Sequence, residues 1–119
     1  MENNVSDKLN SKWSEWQPMP EPKNCRKINA PAKSGLYQIR NKESNELILF
    51  GIGKQCQKRM KSLYPKPFGT GTRNNECKRK YVLDNWEKLE YRTRETDTRG
   101  EAKTIEDCLK AKKNHLFNT

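Results

Sequence analysis

Chemistry-bearing residues concentrate where a hairpin meets a basic helix. The stretch Lys33–Arg59, KSGLYQIRNKESNELILFGIGKQCQKR, places Tyr37 early and Arg59 at its end. Two short strands feeding a helix aim a tyrosine and an arginine at one point. Glu106 joins them from far along the chain, on the border of an apolar helical stripe. A carboxylate there is ordinarily a rim ion pair. In a basic protein, facing an arginine and a tyrosine, it also offers a seat for one hard divalent cation. Mg²⁺ is commonly held by one or two carboxylates, with waters and substrate phosphate completing the shell. Charge supplies a further signal. Between residues 54 and 80, nine cations (Lys54, Lys58, Arg59, Lys61, Lys66, Arg73, Lys78, Arg79, Lys80) face one acid, Glu76. A charge run is usually a solvated face, but this sign bias favours phosphate binding, with the cluster along one side of a groove.

The elements that must position these residues follow from periodicity. Gly35–Arg40 alternates as a strand and Glu46–Phe50 is its antiparallel partner, joined by a turn of Asn, Lys, Glu, Ser and Asn. From Lys54 to Leu63, the apolar residues Cys56, Met60 and Leu63 recur with helical spacing. Tyr64–Gly71 is a Pro- and Gly-rich loop. A second helix is expected over Asn74–Trp86, with Cys77, Tyr81 and Val82 or Trp86 inward and Lys78, Arg79 and Lys80 exposed. Lys88–Thr93 alternates as a third strand. Asp97–Gly100 reads as a turn, and a last helix from about Glu101 to Lys113 buries Ala102, Ile105 and Leu109. The order β-β-α-α-β-α predicts an α+β domain with a small three-stranded antiparallel sheet flanked by helices. Residues 1–32 read as a polar, Pro-rich N-terminal extension. Trp13 and Trp16 on one helical turn pack onto the domain or, less favoured, present their rings to a partner protein or DNA.

Composition bounds the function. The 119 residues fit one domain, and a net charge of +10 favours a polyanionic partner, nucleic acid first. No apolar run reaches the ~20 residues that span a bilayer. The N-terminus lacks the hydrophobic core of a secretory signal, so a cytoplasmic location is expected. Four cysteines (Cys25, Cys56, Cys77, Cys108) without a C-x-x-C pair, and one histidine, favour reduced thiols over a zinc site.

Together these features resemble the GIY-YIG nuclease superfamily across residues 33–119. Gly35-Leu36-Tyr37 stands for the first tripeptide and Leu49-Phe50-Gly51 for the second, because Arg59 then falls eight residues after the glycine, which is the family spacing. A register using Gly51-Ile52-Gly53 would leave Arg59 two residues too close. Glu101-Ala102…Glu106 and Leu116-Phe117-Asn118 match the family's ending. The resemblance implies a metal-dependent endonuclease acting on phosphodiester bonds, of DNA foremost. Glu106 would hold a single Mg²⁺ or Mn²⁺, Arg59 would pair with the scissile phosphate, and Tyr37 would position or deprotonate the attacking water. Tyr37 has an ordinary pKa near 10, so Lys54 or Arg59 would have to lower it for base work. Asn118 would orient neighbouring groups. Leu49 departs from the family's second tyrosine; Lys54 or Tyr64 would have to substitute. The competing expectation is a catalytically inactive nucleic-acid-binding module of the same fold.

Overall fold

Strand pairing is settled by which side chains must be dry. The computed structural model describes residues 13–64 and 76–117. Strands β2 (Gly35–Asn41) and β3 (Leu47–Gly53) pair antiparallel, with Tyr37 opposite Gly51 and Ile39 opposite Leu49. Their turn is held by Asn41, whose Oδ1 accepts the backbone N–H groups of Glu43 at 2.8 Å and Ser44 at 3.0 Å. Asn45 follows in the left-handed region at φ 64°, where asparagine is among the better tolerated residues. Strand β4 (Leu89–Glu95) pairs with the other edge of β2.

The sheet has four strands, where three were expected. Gln17–Pro18 forms a two-residue β1 against Tyr91 and Glu90 of β4, giving the order β1-β4-β2-β3. This strand escapes periodicity because it is too short to alternate. It also contains a proline, which a sheet accepts only where no ladder N–H is needed, at an edge. Flanking backbone bonds extend the pairing: Ser14 N–H donates to Thr93 O at 2.8 Å and Met19 N–H to Leu89 O at 3.0 Å.

Opposed residues in an antiparallel pair share a face, so the sheet separates two cores. On one face Tyr37, Ile39 and Leu49 meet Cys56 and Met60 of helix α1 (Cys56–Lys61) and Val82 of helix α2 (Glu76–Asn85). Met19, Cys25 and Ile28 from the segment before Lys33 complete that cluster. On the other face Leu36, Phe50 and Ile52 take Ala102, Ile105 and Leu109 of helix α3 (Arg99–Lys112). Each fully buried aliphatic side chain contributes about 1.5–3 kcal/mol. Among the described residues, no helix is long and apolar enough to cross a membrane.

Two local departures bear on the site. Helix α3 begins at Arg99 because Thr98 caps it. The Thr98 Oγ1 accepts the Glu101 N–H at 3.1 Å, and the Glu101 carboxylate accepts the Asp97 N–H at 3.2 Å. Arg99 thereby becomes helical instead of lying in a turn. Helix α2 turns Val82 inward, so Lys78 and Arg79, four and three residues earlier, share its side and are half-buried, while Cys77 is exposed. Both outcomes reverse the expected exposure.

Candidate active site

The outer edge of β3 is paired near its start, where the Leu116 and Phe117 N–H groups donate to Leu47 O and Ile48 O. At its Gly51–Gly53 end the two faces meet in a cleft of about 430 Å³. Tyr37 reaches it by crossing its opposed residue, Gly51. A Cβ on Gly51 would lie 2.5 Å from the phenol oxygen and 2.6 Å from the adjoining ring carbon, so only glycine admits the ring there. Two residues on, a Cβ on Gly53 would stand 3.0 Å from the Cβ of Arg59. The paired glycines therefore let a tyrosine and an arginine converge. Helix α1 supplies Arg59, α2 supplies Lys78, and α3 presents Arg99, Lys103 and Glu106 at positions i, i+4 and i+7, one stripe of a helix. Phe50 and Ile52 add apolar wall.

The electrostatics are those of an anion site built round one acid. The Glu106 side chain is only 13% exposed and lies 3.3 Å from Lys103 Nζ and 4.0 Å from Lys110 Nζ. Lys103 also reaches Asp107 at 3.0 Å. Burial lowers the pKa of Lys78, assisted by the positive charge of Arg59, while Glu106 opposes the shift. Of the two roles expected of Tyr37, positioning the attacking water or deprotonating it, its burial favours the first. Burial pushes its pKa up to about 12, against the lowering effects of the Arg59 charge and a hydrogen bond with Arg59. The phenol therefore keeps its proton at neutral pH, which suits it to donate a hydrogen bond and not to abstract a proton.

The sequence candidates divide accordingly. Tyr37, Arg59, Glu106 and Lys78 come together. Lys54 and Lys58 are exposed and Lys61 is half-exposed, none of the three lining the cleft. Lys80 is exposed and paired with Asp84 at 2.9 Å. Arg79 is half-buried outside the cleft lining. Arg73 and Asn118 lie outside the described residues. Leu49 is fully buried on the Tyr37 face, among Ile39, Met60 and Val82, and does not line the cleft. Tyr64 is no substitute for the missing tyrosine: it is buried, and its hydroxyl donates to Pro20 O at 2.6 Å. Arg99 and Lys103 were missed, although their spacing from Glu106 was readable once the helix start at Thr98 was recognised.

Among the described residues, no group of three His, Cys, Asp or Glu side chains is placed to hold a metal ion. A divalent cation in this cleft would have Glu106 as its single protein carboxylate. That donor fits Mg²⁺ or Mn²⁺ when water and a substrate phosphate supply the remaining oxygens. No family model, curated protein or solved structure matches the chain.

Proposed function

We propose that the cleft is the active centre of a small metal-dependent endonuclease of GIY-YIG type, hydrolysing phosphodiester bonds in nucleic acid, with DNA the favoured substrate. One observation carries the reading: Tyr37, Arg59 and Glu106, the residues the resemblance singles out, line one cleft although the sequence scatters them over seventy positions. The added ring of Lys78, Arg99 and Lys103 supports a polyanion as the occupant.

Arg59 binds the scissile phosphate through charge-assisted hydrogen bonds that strengthen as negative charge builds on its oxygens. The Tyr37 hydroxyl, linked to Arg59 and protonated, orients a phosphate oxygen or the attacking water. Lys78, half-buried beside Arg59, regains favourable surroundings when a phosphate neutralises the pair. Glu106 would hold the divalent cation, whose chemistry when bound is Lewis-acid stabilisation of charge on the leaving oxygen. Phe50 and Ile52 limit water on one side of the phosphate and so strengthen these interactions.

A second reading, a binding module without catalysis, is favoured by the burial of Leu49 in the core and by the Lys103 contact on Glu106. A nicking and oligonucleotide-cleavage assay with Mg²⁺ or with chelator, run on the natural protein and Glu106→Gln, separates the two. The endonuclease reading expects Mg²⁺-dependent cleavage that Glu106→Gln abolishes while binding persists. Binding without cleavage of any DNA or RNA substrate establishes the module reading instead.

A further inference from the structure

Helix α3 has a second cavity on its other flank, about 480 Å³ in volume and within the size range of small-ligand sites. It lies where Trp13 and Trp16 fold over β2 and β4. The Arg40 guanidinium sits 4.1 Å from the Trp16 ring centre. That of Arg92 lies 4.5 Å from Trp13 and 4.7 Å from Trp16. Ile105 and Leu109 form an apolar wall, Lys112 stands at the margin, and no aspartate or glutamate is part of the lining.

The floor is polar and ordered. Arg92 Nε donates to Gln38 Oε1 at 2.8 Å, and Gln38 Nε2 lies 3.0 Å from His115 Nε2. Because the Gln38 oxygen is turned to Arg92, its amide nitrogen donates to His115, which must accept through Nε2. Burial, helped by the Lys112 charge, lowers the His115 pKa to about 4 and keeps the ring neutral. A neutral ring accepting at Nε2 carries its proton on Nδ1. Among the described residues that buried Nδ1–H has no hydrogen-bond partner, although His115 is only 7% exposed. An orphaned donor of this kind costs about 1–3 kcal/mol.

We propose that this cavity is a nucleotide pocket, taking one unpaired base together with its phosphate, and that it makes the protein selective for single-stranded or frayed nucleic acid. Indole and guanidinium planes offer stacking surfaces to any base. Gln38 and His115 supply donors and an acceptor for a base edge. Arg92 and Lys112 supply charge for the phosphate, Arg40 being already paired with Glu90, and a paired base inside a duplex is too enclosed to enter. The pocket adjoins the cleft: Phe50, which lines the cleft, meets the His115 ring edge-on with centroids 4.6 Å apart. The proposal rests on nucleic acid as the partner but not on cleavage.

The test is NMR titration of the metal-free protein with deoxynucleoside monophosphates, following the three indole N–H signals. Trp13 and Trp16 report on the pocket and Trp86, outside its lining, is the internal control. Saturable shifts confined to Trp13 and Trp16 are expected, with inorganic phosphate or an unphosphorylated nucleoside weaker by about ten-fold. Lys112→Glu, at an exposed site tolerant of substitution, should weaken binding several-fold, and so should His115→Phe. Arg59→Ala in the cleft should leave it unchanged. Absent shifts, equal response to phosphate alone, or loss in Arg59→Ala with indifference to Lys112→Glu overturns the pocket. Nucleotide binding without cleavage activity sinks only the endonuclease reading, and cleavage without nucleotide binding sinks only the pocket.

Discussion

At the scale of single residues, the cleft depends on a side chain that is missing. Gly51 leaves the gap through which the Tyr37 ring passes, so Gly51→Ala must displace that ring. We expect it to cost about 1–3 kcal/mol through overpacking and to reduce cleavage strongly, measured by chemical denaturation and single-turnover kinetics. Tyr37→Phe is the discriminating partner experiment. It keeps the ring over Gly51 and removes only the hydroxyl, so the melting temperature should hold while the rate falls; an unchanged rate would remove the phenol from the reaction. His115 offers a pH test with a definite sign. Its folded pKa, about 4, lies below the ordinary 6.5. The folded state therefore binds fewer protons than the unfolded chain between these values, and stability falls as pH drops through that window. The full effect is about 3 kcal/mol. In His115→Gln, melting temperatures followed from pH 7 to pH 4 should show a shallower acid decline than the natural protein; parallel curves would mean His115 titrates normally.

At the scale of elements, Leu49 shows how far the site could be read in advance. The hairpin places it on the same face as Tyr37, as alternation required, but opposite Ile39 and under Met60 and Val82. The Leu49→Tyr substitution suggested by the family resemblance therefore adds a phenol to a filled core. It should destabilise by about 1–3 kcal/mol and bring no gain in cleavage, checked by melting and single-turnover assays together; a stable, faster variant would show that the core yields towards the cleft. The hairpin and helices α1 and α3 were legible because their apolar residues repeat at the spacing of a strand or a helix. The inward face of α2 was not, since among its described residues only Val82 is buried. Strand β1 was not, since two residues carry no period. Arg99 was hidden by a turn-like Asp-Thr-Arg-Gly sequence whose threonine turned out to be a cap. The Arg92–Gln38–His115 chain joins three separate segments, and no local pattern connects residues so far apart.

At the scale of the whole molecule, the excess of 25 basic over 15 acidic residues is not spread evenly in its effect. Several cations elsewhere are answered by close acids: Lys33 by Glu95 at 3.1 Å, Lys80 by Asp84 at 2.9 Å, and Arg40 by Glu90. The first two pairs are exposed and add little stability, and each of the three lowers the local positive potential. The cleft sets Arg59, Lys78, Arg99 and Lys103 against Glu106 in its lining and Asp107 beside it, which Lys103 meets at 3.0 Å. Field lines of a basic protein concentrate in a concave, partly apolar site of this kind, so on the proposed reading the net charge would steer nucleic acid towards the cleft. Salt dependence makes this quantitative. If the four cleft cations each neutralise one phosphate of a single strand, the logarithm of affinity should fall against that of salt with a slope of about 3. Arg99→Ala with Lys103→Ala should lower the slope by about 1.4. Lys80→Ala, although it removes an equal charge from the same sequence cluster, should leave the slope nearly unchanged because its partner Asp84 remains and its position lies away from the lining. Fluorescence anisotropy of one labelled oligonucleotide across a salt series measures all three proteins. A slope altered as much by Lys80→Ala as by a cleft substitution would mean that nucleic acid follows the outer face of α2, and the cleft would lose its claim to the substrate.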